Sequence, residues 1–362
     1  MRRRRVALFL PNLAGGGAER VVLAQARELV RRGHAVDLIL IREGGELIPL
    51  LPAEVNLIEF RASRILGGLW PLARYLRREK PDALHAVMWP STAVAVLAHR
   101  LARSTARLMV SDQVTLSQQV RAPAPLAALR WTTRLLYPLA DFRITCSTEA
   151  ANDLAKLGRI RRDRIEVITN PIEPPERIAA TPEVERMWGD ASPRLVTVGS
   201  LKDQKNHALL LRAFAELGDL PNARLMIVGE GVLRPRLEAQ AEQLGIAGRV
   251  LFPGFFLDPW PFLASADMFV LSSDYEGFPL VLAEAMYAGL RVVSTDCISG
   301  PAELTDNGQY GRLVPCGDPL ALAEAIRAEL GEEPRPERQR ERAAKMAGPA
   351  QIGRYCDLLA GE

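Results

Sequence analysis

Two carboxylates eight residues apart, Glu276 and Glu284, stand in the stretch "DYEGFPLVLAEAMYAGL". Pro279 sits where a helix can begin without losing a hydrogen bond, and Gly289 where one can stop. Within that helix the neighbours of Glu284 one turn away are Leu280, Val281, Tyr287 and Ala288, all apolar. A buried carboxylate costs several kcal/mol unless something pairs with it. Either an Arg or Lys neutralises it, or the helix lines a cleft where it accepts hydrogen bonds from ligand hydroxyls. Glu276 lies in the loop before the helix, beside Gly277. There the backbone N–H groups of Gly277, Phe278 and Leu280 can approach a ligand closely.

Other groups have chemistry to offer. Lys205 in "DQKN" taken alone reads as an ordinary surface lysine in a turn. "AGGGAER", after a strand and before a helix, has three glycines that let backbone amides approach an anion or a sugar. The G-x-G-x-x-G spacing of a dinucleotide site is absent there, although Glu43 stands where a ribose-binding acid would. Asp112 and Gln113 end the strand in "RLMVSDQV" and can hydrogen-bond a sugar; neither is a neutral-pH base like imidazole. His85, after "DALHAV", is expected to be packed. No D-x-D pair exists to hold a divalent cation with hard carboxylates, so no metal is expected.

These residues must be positioned by regular elements, and the pattern alternates. Strands are expected at Val6–Leu10, Val36–Ile41, Ala83–Val87, Arg107–Val110 and Phe142–Thr145. Helices fall at Glu19–Arg32, Trp70–Glu79 and Thr92–Ala102. "TNPIEPPERIAATPEVE", with four prolines, is the best linker. Alternation then restarts, with strands at Leu195–Val198, Arg224–Val228, Val250–Phe252, Met268–Ser272 and Arg291–Thr295. Helices at Asn206–Glu216, Arg234–Leu244, Pro261–Ser265 and Asp318–Leu330 separate or follow them. Strand, helix, strand in series implies parallel sheets, with sites beyond the carboxyl ends of the strands and, for two domains, in the cleft between them. The expected division is an N-terminal domain over 1–172, a linker over 173–182, a second domain over 183–340 and a last helix within 341–362 docking back on the first domain. The charged run 331–347 is expected to be solvated.

The 362 residues, 48% apolar, suffice for two cores. Four scattered cysteines signal neither a zinc site nor a disulfide framework. A reducing cytoplasm fits. The apolar run after the N-terminal arginines ends at Pro11, too short for a signal core. Net charge is +3, but residues 1–170 hold 27 Lys and Arg against 15 Asp and Glu, and the remainder 19 against 28. The basic half suits a phosphorylated acceptor, an anionic lipid surface or solvated helix faces. "LAALRWTTRLLYPLADF" with Arg74, Arg77, Arg78 and Lys80 fits an anionic membrane surface, or a core-facing helix with snorkelling arginines.

"EGFPLVLAE" resembles the E-x7-E pattern of glycosyltransferase family 4, the retaining GT-B enzymes. Five other stretches resemble that family in the same order: "LAGGGAERVVLAQARELVRRGHAV", "RIEVITNPIE", "LVTVGSLKDQKNHALLLRAF", "ARLMIVGEG" and "GPAELTDNGQYGRLVP". The resemblance implies an α/β GT-B fold, two Rossmann-like doubly wound domains facing a cleft. It implies a retaining, metal-independent transferase of bacterial surface-polysaccharide type, without a cofactor, whose donor substrate is a nucleotide sugar. A UDP-sugar carrying a hexose or N-acetylhexosamine is favoured, with a glycan or lipid-linked acceptor. Glu284 would hold the donor ribose, Glu276 the hexose and Lys205 the diphosphate. Gly277, Phe278, Pro279, Leu280, Ser200, Lys202 and Gly229 would line the donor, and Gly16, Gly17, Asp112 and Gln113 the acceptor and diphosphate. Many relatives carry an arginine where this chain has Ser200, with Lys202 as the available substitute, and a histidine near Asp112. Those two departures motivate the alternative, a nucleotide-sugar-binding protein that has lost turnover. A cytoplasmic enzyme, peripheral on the inner membrane face, is the expected setting. Nucleic acid is not an expected partner, because no helix-turn-helix, zinc or RNA-binding signature occurs.

Overall fold

The computed structural model describes residues 2–120 and 122–362. The chain divides into two compact units, residues up to Pro171 together with Pro349–Glu362, and Ile172–Gly348.

In the first unit, strand β1 (Arg5–Leu10) leads to helix α1 (Gly17–Arg31), then β2 (Ala35–Leu40) and β3 (Asn56–Glu59). Next come α2 (Leu69–Glu79), β4 (Ala83–Val87), α3 (Ser91–Ala102) and β5 (Arg107–Asp112). The one-turn α4 (Leu116–Gln119) precedes α5 (Pro123–Leu136), β6 (Phe142–Thr145), α6 (Thr148–Gly158) and β7 (Glu166–Val167). The strands pair in parallel in the order β3-β2-β1-β4-β5-β6-β7. The order reverses between β1 and β4. Right-handed crossovers in opposite directions place α1 on one face and α2, α3, α5 and α6 on the other. The contacts agree, since α2 touches α3, α3 touches α5, and α5 touches α6. Strands β1, β2 and β4 are buried nearly end to end because helices cover both faces.

In the second unit, α7 (Pro182–Trp188), β8 (Arg194–Val198), α8 (His207–Ala215), β9 (Arg224–Val228), α9 (Arg234–Gln243) and β10 (Val250–Gly254) form the first half. The second half comprises α10 (Trp260–Ala264), β11 (Met268–Leu271), α11 (Leu280–Ala288), β12 (Arg291–Thr295), α12 (Pro301–Thr305), β13 (Arg312–Val314), α13 (Pro319–Leu330) and α14 (Pro336–Ala347). Its six parallel strands run β10-β9-β8-β11-β12-β13, reversing between β8 and β11. Each sheet has its own apolar core.

The run 331–347 differs from the solvated segment expected of it. Gln339, Ala343 and Ala347 repeat every four residues and are buried, so α14 lies along α11. Arg340 caps that helix by donating to the Ala288 carbonyl at 3.3 Å. The charged residues occupy the other faces of α14 and mask its narrow stripe of small side chains. The second unit therefore continues to Gly348, beyond the boundary expected at 340.

The final helix, α15 (Pro349–Ala360), belongs to the first unit and packs on α1. Arg32 donates to Asp357 at 2.6 Å, and Arg107 to the Leu358 carbonyl at 2.8 Å. Among the described residues no helix is long and apolar enough to cross a membrane.

Candidate functional site

In the second unit the loops after β8 and β11 leave the sheet side by side, because their strands flank the point where strand order reverses. Such a switch point opens a crevice at the carboxyl ends of the strands. Both sequence candidates for charge chemistry lie on these two loops. Lys205 Nζ is 2.7 Å from Glu276 Oε1. Ser273 Oγ donates to the same carboxylate oxygen at 2.6 Å. Glu276 is only 5% exposed, and the ammonium supplies the opposite charge that a desolvated carboxylate requires.

The two loops are held together along their length. Ser272 Oγ donates to the Lys205 carbonyl at 2.9 Å, and Gln204 Nε2 to the Tyr275 carbonyl at 2.9 Å. Asn206 Nδ2 donates to Asp274 Oδ1 at 2.8 Å, while its own Oδ1 caps α8 by accepting from Leu209 N. On the other side, Thr295 Oγ1 donates to the Ser273 carbonyl at 2.6 Å and Ser299 Oγ to the Gly277 carbonyl at 2.7 Å. Gly277, Phe278, Pro279 and Leu280 are buried between these supports. The site is thus fixed by hydroxyl and amide side chains rather than by the carboxylates alone. A Ser three residues before Glu276, and the polar run "SSDYE", were the available signals for them.

Helix α11 starts after Pro279 and stops at Gly289, which adopts φ 91°. Glu284 lies in its second turn and is 8% exposed. Ser200 and Lys202 form the exposed turn after β8, closed by a bond from Lys202 N to the Ser200 carbonyl at 2.9 Å. The Lys205 stem crosses Gly199, where a Cβ would lie 3.2 Å from its Cε. Gly229 ends β9 with φ +148°. A Cβ there would meet the Gly199 carbonyl oxygen at 2.1 Å, so only glycine allows the two strand ends to lie this close.

The first unit holds the remaining candidates at the equivalent edge. Gly16 caps α1 and Gly17 opens it. Glu19 folds back over the loop, since a Cβ on Gly16 would lie 2.4 Å from its Oε2. Asp112 is not placed to touch a sugar, which corrects the expectation for it. It is 1% exposed. Its Oδ1 accepts from Trp89 N at 2.9 Å and its Oδ2 from Tyr137 Oη at 2.6 Å. It clamps the loop after β4 to the end of α5. Gln113 is buried as well, with Nε2 3.5 Å from Tyr355 Oη and Oε1 without a partner. His85 is packed as expected, between Gln25 Oε1 and Ser111 Oγ at 2.8 Å each and stacked on Tyr355. Burial lowers its pKa to about 3, which keeps it neutral.

Burial pushes the Asp112 carboxyl up to about 6, against the pull of its two hydrogen bonds. A folded value above the ordinary one means that the folded state holds the proton more tightly. Its contribution to stability is complete below about pH 4 and is lost as pH rises through 6, by up to about 3 kcal/mol. Asp112→Asn removes this loss, because Tyr137 and Thr92 can exchange donor and acceptor roles to suit an amide. Melting temperatures from pH 4 to 7.5 should fall more steeply for the wild type than for the variant. Parallel curves would refute the assignment.

Comparison with known proteins adds to this geometry. Residues 15–175 match the profile of Glycosyltransferase Family 4, and residues 186–346 that of Glycosyl transferases group 1. The chain is 31% identical over 317 residues to the lipopolysaccharide core biosynthesis glycosyltransferase LpsE of Rhizobium meliloti, covering 86% of this chain and 84% of that one. It is 28% identical over 340 residues to the N-acetylgalactosamine-N,N'-diacetylbacillosaminyl-diphospho-undecaprenol 4-alpha-N-acetylgalactosaminyltransferase of Campylobacter jejuni, covering 91% of each. Among solved structures, Anabaena HepE in complex with UDP and glucose superposes with a TM-score of 0.80 over 99% of both chains at 21% identity. WaaG, a glycosyltransferase involved in lipopolysaccharide biosynthesis, superposes with a TM-score of 0.75 at 19% identity, over 99% of this chain and 100% of its own. With two parallel α/β sheets, two successive family profiles and full-length relatives in agreement, the chain belongs to the family 4 glycosyltransferases of GT-B fold.

Proposed function

We propose that this protein moves a hexose or N-acetylhexosamine from a nucleotide sugar, a UDP-sugar in preference, to a glycan or lipid-linked acceptor with retention of configuration. The observation that carries the reading is the buried Lys205–Glu276 pair at the strand switch point, with Glu284 on the helix that follows. The Campylobacter relative, named for a diphospho-undecaprenol acceptor, and the UDP complexes of HepE support the substrate classes.

In this reading Glu284 accepts hydrogen bonds from the ribose hydroxyls and Glu276 meets the donor hexose. Lys205 turns from Glu276 toward the diphosphate and stabilises the charge that grows as the glycosidic C–O bond breaks. The N-terminus of α11 adds a favourable dipole there. The acceptor hydroxyl bonds to the anomeric carbon on the face the diphosphate leaves, and its proton passes to the departing phosphate oxygen. One glycosidic bond forms, one breaks, and the nucleoside diphosphate carries off the proton.

Lysine and helix dipole take the place of a metal. Turnover should persist in millimolar EDTA; complete loss restored by Mg²⁺ or Mn²⁺ would refute metal independence. UDP release from a panel of UDP-sugars with a lipid-linked acceptor, and the anomeric configuration of the product by NMR, test the reaction itself. Ser200, where the family resemblance implies an arginine, motivates one competing reading, a binding protein without turnover. It would be thermally stabilised by UDP yet release none from any sugar.

A further inference from the structure

We propose that Cys297 and Cys316 form a modification site at the edge of the donor crevice, where peroxide couples the two thiols into a disulfide and withdraws the loop that supports Glu276. Strand order brings the pair together. β12 and β13 are parallel neighbours with Thr295 opposite Val314, and the ladder continues in a bond from Asp296 N to the Val314 carbonyl at 2.7 Å. Two residues further on, the same register sets Cys297 against Cys316. Neighbouring strands lie about 4.8 Å apart, inside the range of roughly 4.4–6.8 Å between Cα atoms that a disulfide spans. The side chains agree with that placement. The Thr295 hydroxyl is within hydrogen-bonding reach of both thiols. Cys316 Sγ also donates to the Ser273 carbonyl at 3.9 Å, the acceptor that Thr295 Oγ1 uses. Among the described residues no cluster of three or more His, Cys, Asp or Glu could hold a metal ion, so what meets here is a dithiol.

The two thiols differ in access, as a reacting pair requires. Cys316 is exposed, whereas Cys297 is only 3% exposed, so peroxide meets Cys316 first. Its thiolate attacks one peroxide oxygen, the O–O bond breaks, and the departing hydroxide takes a proton to leave as water. The sulfur is then a sulfenic acid. The Cys297 sulfur, giving up its proton, attacks that sulfur. An S–S bond forms, the S–O bond breaks, and the second oxygen leaves as water with the Cys297 proton. Each thiol loses one electron and the peroxide gains two. Burial raises both thiols above the ordinary thiol range, helped by Glu276 at Cys297 and by Asp274 and Asp296 at Cys316. Little thiolate exists near neutrality, so the pair answers sustained rather than brief exposure to oxidant.

The segment after β12 is what holds the crevice loop. The Ile298 carbonyl accepts from Glu276 N at 3.3 Å, and Ser299 Oγ donates to the Gly277 carbonyl at 2.7 Å. In the strand order this segment runs between the ends of β11 and β13. A disulfide draws Cys297 toward β13 and away from Glu276. It also removes the S–H that bonds Ser273, whose own hydroxyl donates to the Glu276 carboxylate. A misplacement of about 1 Å at a reacting group costs roughly 10²-fold in rate.

The effect on turnover rests on the donor reading, whereas the disulfide does not, and the experiment reads the two apart. The full chain is treated with hydrogen peroxide, quenched, alkylated under denaturing conditions and digested without reductant. Mass spectrometry should find one peptide pair joined through Cys297 and Cys316, lighter by two hydrogen atoms than the reduced pair. Cys146 and Cys356, buried in the first unit, should remain thiols. Cross-linking should speed up by roughly 10-fold per pH unit while Cys316 remains mostly protonated. UDP release from a UDP-sugar should fall roughly 10²-fold on oxidation and return with dithiothreitol. Amide exchange over residues 276–280 should quicken on oxidation whether or not the protein turns over. Cys316→Ser should turn over like the reduced wild type and resist peroxide. Cys297→Ala, which keeps the exposed thiol alone, should trap dimedone as a sulfenic acid and form no cross-link. Cooperative melting of both variants shows that they are folded. Failure of the folded wild type to form the cross-link, equal inactivation of Cys316→Ser, or unchanged exchange at 276–280 overturns the proposal. Inactivation that dithiothreitol does not reverse assigns the loss to over-oxidation and also overturns it. If the cross-link forms and loosens the loop but reduced protein releases no UDP from any UDP-sugar, the donor reading alone is lost. If reduced protein turns over and no cross-link forms, the modification site alone is lost.

Discussion

Lys205→Ala is expected to lower turnover at saturating donor by roughly 10²–10³-fold, the usual cost of removing one group that stabilises developing negative charge. The ammonium lies 2.7 Å from Glu276, and the pair fixes it at the ends of β8 and β11. The same substitution leaves Glu276 almost wholly buried without its cation, and breaking such a pair costs about 3 kcal/mol or more. A loss of stability and a loss of turnover are therefore expected together, and kinetics separates them. A purely structural lysine would reduce the amount of active protein without changing kcat per folded molecule. A lysine that acts on the leaving group lowers kcat itself, with a smaller change in KM. Lys205→Arg retains charge but substitutes a planar fork for a compact ammonium, and is expected to restore folding more fully than turnover. A kcat within tenfold of wild type in folded Lys205→Ala protein would rule out the leaving-group role.

The second large effect belongs to Glu284. Two hydrogen bonds from ribose hydroxyls to a carboxylate, each worth about 1.5 kcal/mol or more, make the expected weakening of UDP binding in Glu284→Ala roughly 100-fold or more. Alanine is the best helix former, so α11 should survive the change. Glu276→Ala serves as the contrast, because it removes the group expected at the hexose. Transfer should be abolished while UDP affinity stays near wild type. Calorimetric titration of UDP into the three proteins distinguishes the roles. Wild-type affinity in Glu284→Ala would leave the ribose contact without support.

The central strands of the two sheets were legible because each carries its own period, whereas the short edge strands β3, β7 and β13 were not. Val6–Leu10 reads as a buried strand and Met268–Ser272 as a strand from local sequence alone. The helix from Leu280 to Gly289 was legible for the same reason, with a proline at one end and a glycine at the other. What local pattern cannot carry is who meets whom. Lys205 and Glu276 stand 71 residues apart, and only the strand order β8-β11 brings their loops together. The family resemblance paired them in function, but their hydrogen bond and its sharing with Ser273 follow from tertiary placement. Asp112 shows the opposite failure. The end of a strand is where site residues gather, so an acid there reads as a ligand, but Tyr137 and the Trp89 amide turn it inward. In α14, six charged side chains hide the three buried positions Gln339, Ala343 and Ala347, and hydrophobic periodicity has too little contrast to detect them. The apolar outer face of α5 was visible as composition. Its exposure was not, because a core-facing and a surface-facing amphipathic helix have the same sequence period.

The central claim is that one sugar nucleotide is gripped by Glu284, Glu276 and Lys205 beyond the ends of β8 and β11. A crystal structure of the protein with bound UDP-sugar tests it most directly. The account predicts ribose hydroxyls within about 3 Å of the Glu284 carboxylate and a diphosphate oxygen within about 3 Å of Lys205 Nζ. Nucleotide density at any other edge of the sheet, with the Lys205–Glu276 pair undisturbed, would contradict it.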